Sequence, residues 1–140
     1  RHSYTHKIMS IAAYVGIADG DDSYAVGANA CQSAIDGLKQ KDPDALIVFA
    51  SSKYDQEKMI AGIRSVCGTA LLVGGSTAGE ITGDGPAKRH SVAVMAIKAP
   101  DIKFAAGVGE GIAKDPRVAG RKAVEEVKKQ ILARLPLILK

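Results

Sequence analysis

Apolar residues run almost unbroken from Ile8 to Gly16, and the polar stretch Asp19-Gly20-Asp21 then leads to Asp22. The run predicts a strand. Asp22 predicts a helix cap, because its carboxylate can accept hydrogen bonds from the first free helical N–H groups. From there to about Lys39, Val26, Gly27, Ala30, Cys31, Ala34, Ile35 and Leu38 recur at steps of three and four. A helix gathers such positions into one stripe, so this face is expected to be buried. Asp42-Pro43-Asp44 breaks the pattern. Ala45 to Ala50 is continuously apolar, as in a strand covered on both faces. Ser52, with Asp55 three residues on, has the form of a capping box for a second helix. That helix would bury Met59, Ile60, Ile63 and Val66, hold Tyr54 in its first turn and stop at Gly68.

Ala70-Leu71-Leu72-Val73 reads as a third strand, and Gly74-Gly75-Ser76-Thr77-Ala78-Gly79-Glu80 as the loop that follows it. Strand, helix and strand in succession imply a right-handed crossover, with the strands at Leu46 and Leu71 parallel and their carboxyl ends on one edge. Further on, Val92–Ile97 and Ile102–Val108 flank a turn short enough for an antiparallel hairpin. Asp115-Pro116 then gives an acidic cap with proline at the first helical position. Val124, Val127 and Ile131 form that helix's buried side, and Pro136 ends it.

Seven residues return at a constant offset of 93: Ala12-Ala13, Val15-Gly16, Asp22, Gly27 and Ala30 as Ala105-Ala106, Val108-Gly109, Asp115, Gly120 and Ala123. The repeated unit is an apolar strand ending at glycine, a short loop, and an Asp that opens a helix. By the same offset a second copy reaches its next strand at Leu137-Ile138-Leu139. The expectation is an α/β fold with a mixed, largely parallel sheet and packed helices, containing a duplicated βα unit truncated in its second copy. No low-complexity linker divides the chain, so residues 1–140 read as a single domain, itself an incomplete part of a larger one.

Composition narrows the function. With 46% apolar residues, only 4% aromatics and no Trp, packing must rely on small side chains and close backbone approach. The net charge of +4 is dispersed, and Glu125 and Glu126 partly offset the local group Arg121, Lys122, Lys128 and Lys129. A nucleic-acid surface would need a denser basic stripe with interleaved aromatics. Cys31 and Cys67 lack any metal-ligand spacing and read as buried, reduced thiols, so no metal is expected. No run approaches the roughly 20 apolar residues of a membrane span. Arg1 to Lys7 is polar without a cleavage pattern after it, which points to the cytoplasm.

The Gly-rich loop is the strongest candidate for chemistry. Gly75 and Gly79 would allow close ligand approach, Ser76 and Thr77 can donate or accept hydrogen bonds, and Glu80 could hold an ammonium. Ser51 and Ser52, at the end of the parallel neighbour, belong on the same rim, where open α/β sheets tend to bind ligands. The plainer alternative is that the glycines only make tight turns. The loop lacks the Gly-Lys-Ser/Thr ending of a phosphate-binding loop, and Gly107-x-Gly109-x-Gly111 has the wrong spacing for a dinucleotide fingerprint. Catalysis has little support, since Ser76 lacks the nucleophile elbow and His2, His6 and His90 lie in polar stretches with no sequence reason to approach it.

Ala45-Leu46-Ile47-Val48-Phe49-Ala50-Ser51-Ser52-Lys53-Tyr54-Asp55, then Gly62-Ile63-Arg64 and Gly74-Gly75-Ser76-Thr77-Ala78-Gly79-Glu80-Ile81, resembles the amino-terminal FIST domain. The likeness runs from about Ile8 to Ile131, and the Gly-Gly-Ser-Thr-Ala-Gly-Glu stretch is its most specific part. The resemblance implies a sensory module of signal-transduction proteins that binds small ligands such as amino acids. It also implies a carboxyl-terminal companion domain, which is not expected within residues 1–140. No catalytic residues and no cofactor come with it. It adds weight to Ser76, Thr77 and Glu80 as a sensing loop, with Ser51, Ser52 and Tyr54 as neighbours. The expected partners are thus a small polar metabolite and a companion domain or effector. The rival readings are an enzyme using the same loop as an oxyanion or phosphate site, which needs a base near Ser76 or Thr77, and an interaction scaffold without a pocket.

Overall fold

A computed structural model of the chain describes residues 10–83, 85–88 and 90–135. They fall into two compact units, one up to Ile102 and one from Lys103 onward. The first unit contains β1 (Ala12–Asp19), α1 (Ser23–Leu38), β2 (Ala45–Ser51), α2 (Gln56–Val66) and β3 (Leu71–Thr77), followed by β4 (Glu80–Thr82), β5 (Gly85–Lys88) and β6 (Ser91–Lys98). Four strands form one sheet in the order β1-β6-β2-β3, and β4 and β5 make a small ribbon.

The mixed α/β class is as expected, but parallel pairing is the minority. Only β2 and β3 run parallel, while β6 lies between β1 and β2 and is antiparallel to both. The reason is the partner of β6. Both sides of β6 are taken by β1 and β2, and Ile102–Val108 has no strand ladder, so the expected hairpin does not form. β1 also begins later than the apolar run suggests, at Ala12, and continues through Asp19; Ile8 and Met9 lie outside the described residues.

One face of the sheet presents Leu46, Val48, Ala50, Val92, Val94 and Ala96, all within one buried cluster that also takes in residues of both helices. α1 buries the seven residues of its expected stripe. Asp22 caps it, accepting from Ala25 N–H at 2.8 Å, and Lys39 ends it in the left-handed conformation. Helix α2 crosses α1 at near backbone contact. A Cβ on Gly27 would stand 2.2 Å from the Met59 carbonyl oxygen, and one on Gly62 would stand 2.0 Å from that of Tyr24. This close approach makes Gly62 part of the buried face of α2 and leaves Ile60 at 39% exposure, reversing the periodicity reading of that position. A core of so few aromatics closes because its layers meet at glycine and alanine.

The capping box does not form. Asp55 itself is the cap, accepting from Lys58 N–H at 3.1 Å, so Ser52 and Tyr54 lie in the turn before the helix. The second face of the sheet is also more open than expected. Phe49, Val73 and Met95 alternate with the core positions and are 49%, 39% and 37% exposed.

In the second unit, α3 (Pro116–Arg134) is capped by Asp115, which accepts from Arg117 and Val118 N–H groups. Asp22 and Asp115 are related by the offset of the repeat, and so are the bonds to Ala25 and Val118. The extended residues before α3 pair with its side chains rather than with a strand. Gln130 bonds both the N–H and the carbonyl of Ala106, and Glu126 accepts from Val108 N–H. Gly107 and Gly109 lie so close to α3 that a Cβ on either would meet the carbonyl oxygens of Ala123 and Ala119 at 2.1 and 1.8 Å. Leu137–Leu139, the expected strand of the second copy, lies outside the described residues. Among the described residues no helix is long and apolar enough to cross a membrane.

Candidate functional site

The Gly-Gly-Ser-Thr stretch is strand rather than loop. β3 continues through Thr77, and only Ala78 and Gly79 separate it from β4. Neither Gly74 nor Gly75 has a positive φ, so turn geometry does not explain them. Gly74 has a packing reason instead: a Cβ there would stand 1.9 Å from the Val48 carbonyl oxygen of β2. Gly75 has open space around it.

Strand register then gathers the polar ends. Ser51 at the end of β2 pairs with Thr77 at the end of β3, and Ser52 N–H donates to the Thr77 carbonyl at 3.4 Å. Because β6 runs antiparallel to its neighbours, Ser91 begins β6 at this same edge, opposite Asp19 at the end of β1. Four strand ends thus meet at one rim.

A hydrogen-bonded network occupies that rim. Glu80 is 3% exposed, and its carboxylate accepts from the Thr77 hydroxyl, from the Ser91 hydroxyl and from Ser91 N–H. Three donors satisfy a carboxylate that burial would otherwise penalise heavily. Tyr54, 5% exposed, sends its hydroxyl to the carbonyl oxygens of Gly20 at 2.9 Å and His90 at 2.5 Å. Burial pushes its phenol above the ordinary tyrosine range. Ser51 Oγ accepts from Lys53 N–H at 3.3 Å and lies 3.4 Å from His90 Nδ1. His90 is one of two non-glycine residues with positive φ among those described, at 62°.

A cavity of about 230 Å³ opens beside this network, between β3 and α2. Its sheet side is Val48, Ala50, Leu72, Gly74, Gly75 and Ser76, and its helix side is Gln56, Met59 and Ile60. Gln56 joins cavity to rim, since its side-chain amide nitrogen donates to the carbonyls of Ser51 at 3.2 Å and Tyr54 at 3.0 Å.

The eight residues singled out from sequence therefore divide by role. Gly75 and Ser76 line the cavity. Ser51, Tyr54, Thr77 and Glu80 belong to the network, while Ser52 is exposed on the rim and Gly79 sits in the two-residue link to β4. Tyr54 does not ride on a helix, and Glu80 faces protein donors. Gln56, His90 and Ser91 were not legible as site residues. His90 reaches Ser51, not Ser76 or Thr77, because the central placement of β6 carries it there. Gln56 stands one residue after a cap, a position whose role depends on where the helix begins.

The two cysteines are buried in the core. Burial pushes the Cys31 thiol up to about 12 and raises that of Cys67 as well. Neither behaves as a nucleophile at neutral pH.

Comparison with known proteins bears on the same residues. The comparison with curated proteins returns no match. A family model, the FIST N domain, matches residues 44–139, a span that opens just before β2 and takes in the β2, β3 and β6 ends of the rim, the cavity and α3. This is well over half of the chain, and it leaves β1 and α1 outside the matched span. The chain belongs to the FIST N domain family, whose members are sensory domains of signal-transduction proteins.

Proposed function

We propose that this domain senses a small polar metabolite, an amino acid or a close relative, without catalysis, and passes the signal to a companion domain or effector. The observation that carries this reading is the cavity between β3 and α2, which runs from Leu72 to Gly75 and Ser76 near the carboxyl end of β3, with the hydroxyl-bearing rim beside it. In this reading Ser52 and Ser76, whose side chains are exposed, offer hydrogen bonds to the ligand. Thr77, Glu80 and Tyr54 hold the rim in shape. Signal transmission requires that ligand bind two conformations unequally. The short link at Ala78-Gly79 and the turn at Ser52-Lys53 are the segments able to change.

Calorimetry and thermal-shift measurements with the free amino acids and related acids test the proposal. Binding that Ser52→Ala and Ser76→Ala weaken, with unchanged melting of the free chain, is the expected result. Hits that ignore both substitutions place the ligand elsewhere, and the absence of hits rejects the reading.

A second reading, hydrolysis, draws on the Ser51 and His90 pair, in which an imidazole lies 3.4 Å from a hydroxyl. It calls for a reactive serine. A fluorophosphonate probe that labels Ser51 would support it, and no labelling would remove it.

A further inference from the structure

The cavity between β3 and α2 restricts the chemistry of what it can hold. None of its lining residues is charged, and Val48, Met59, Ile60 and Leu72 give it large apolar side chains. A charge set against this wall would meet no counter-ion among the lining residues and would cover apolar surface instead. Size narrows the choice further. An apolar cavity of about 150 Å³ admits benzene, and drug-sized pockets begin at about 300 Å³, so a space of about 230 Å³ suits a body of roughly six to ten heavy atoms. A nucleotide or larger cofactor would lie mostly outside it.

Polarity at the wall fixes the other end of the molecule. The amide nitrogen of Gln56 is spent on the Ser51 and Tyr54 carbonyls, which sets the orientation of the amide and leaves its oxygen as the group offered to a ligand. That oxygen can only accept. The Ser76 hydroxyl, also in the wall, can donate or accept.

We propose that this cavity receives the uncharged, apolar body of a small molecule whose adjoining group carries an N–H or O–H donor directed at Gln56 and Ser76. The inference rests on the ligand-sensing reading and narrows its ligand: a metabolite with a short aliphatic or aromatic part fits, and one with an ionised end in the cavity does not. Because Gln56 also holds the turn after β2, occupancy of the cavity reaches the rim through a single side chain.

The test is a titration of the isotopically labelled chain, followed by amide chemical shifts, with phenol, isobutyramide, benzene and succinate. Phenol and isobutyramide are expected to move amides at residues 48–50, 59–60 and 72–76, and succinate is expected to leave them unmoved. Ile60→Trp, at a half-open position in the cavity wall, should block the cavity and abolish these shifts without lowering the melting temperature. Gln56→Leu should weaken phenol about fivefold or more and spare benzene. Succinate binding equal to phenol, or phenol shifts indifferent to Ile60→Trp, would overturn the proposal. If free leucine instead shifts amides only near Ser52 and Thr77 and ignores Ile60→Trp, sensing stands and the cavity assignment falls. A chain that binds neither class rejects both.

Discussion

Adjacent glycines in β3 give the sharpest single-residue contrast in the molecule. At Gly74 a methyl group would stand 1.9 Å from the Val48 carbonyl oxygen and 2.8 Å from its carbon, so β2 and β3 would have to separate by about 1.5 Å to restore ordinary contact. The obstacle is backbone, which no rotamer change relieves. Overpacking of this kind costs about 1–3 kcal/mol, offset by the ~0.5 kcal/mol or more that alanine gains over glycine in backbone entropy. Gly74→Ala should therefore destabilise by about 1–2 kcal/mol. At Gly75 a methyl group meets nothing within 4 Å and φ is not positive, so only the entropic gain remains. Gly75→Ala should be neutral or stabilise by about 0.5 kcal/mol. Urea midpoints compared at a constant slope would resolve the pair. If both substitutions behave alike, the glycines serve a mobile loop and the extended β3 is wrong.

Three further outcomes follow from the buried polar groups. Glu80→Gln turns an amide N–H₂ toward groups that themselves donate, and should cost about 2 kcal/mol in the same denaturation assay; an unchanged midpoint would show that the Thr77 and Ser91 bonds do not form. Tyr54→Phe strips the Gly20 and His90 carbonyls of their shared donor, and a loss of about 1–2 kcal/mol is expected, while none would mean water serves them equally well. Cys31 holds its proton more tightly folded than unfolded. Its contribution to stability is thus intact below about pH 8.5 and is lost as pH rises toward about 12. Iodoacetamide should leave Cys31 and Cys67 unmodified in the native chain at pH 8, as mass spectrometry would record; rapid alkylation of Cys31 would contradict its burial.

Much of the helical layer was legible because periodicity and capping are local. The α1 stripe from Val26 to Leu38, and the caps Asp22 and Asp115, follow from spacing and side-chain chemistry alone. Sheet order was not, because it depends on which strands win a non-local competition. Ala106 and Val108 bond to Gln130 and Glu126 of α3, and β6 takes both its partners from β1 and β2. The candidate site shows the same division. The shared edge of Ser51 and Thr77 follows from a parallel crossover. The strand character of Gly74 to Thr77 does not, because glycine pairs signal turns locally and only the approach of Val48 gives Gly74 another purpose. Ile60 looked buried by its helical phase, yet the crossing of α1 at Gly62 rotates it toward the cavity mouth.

Hydrogen exchange of the native chain, with and without a bound amino acid or small amide, locates the ligand site. Slowed exchange is expected at residues 51–56 and 72–80, where the rim and the cavity wall take up ligand, with little change along α1. Protection confined to α3, or spread evenly over the sheet, would contradict a ligand site at the joined ends of β2 and β3.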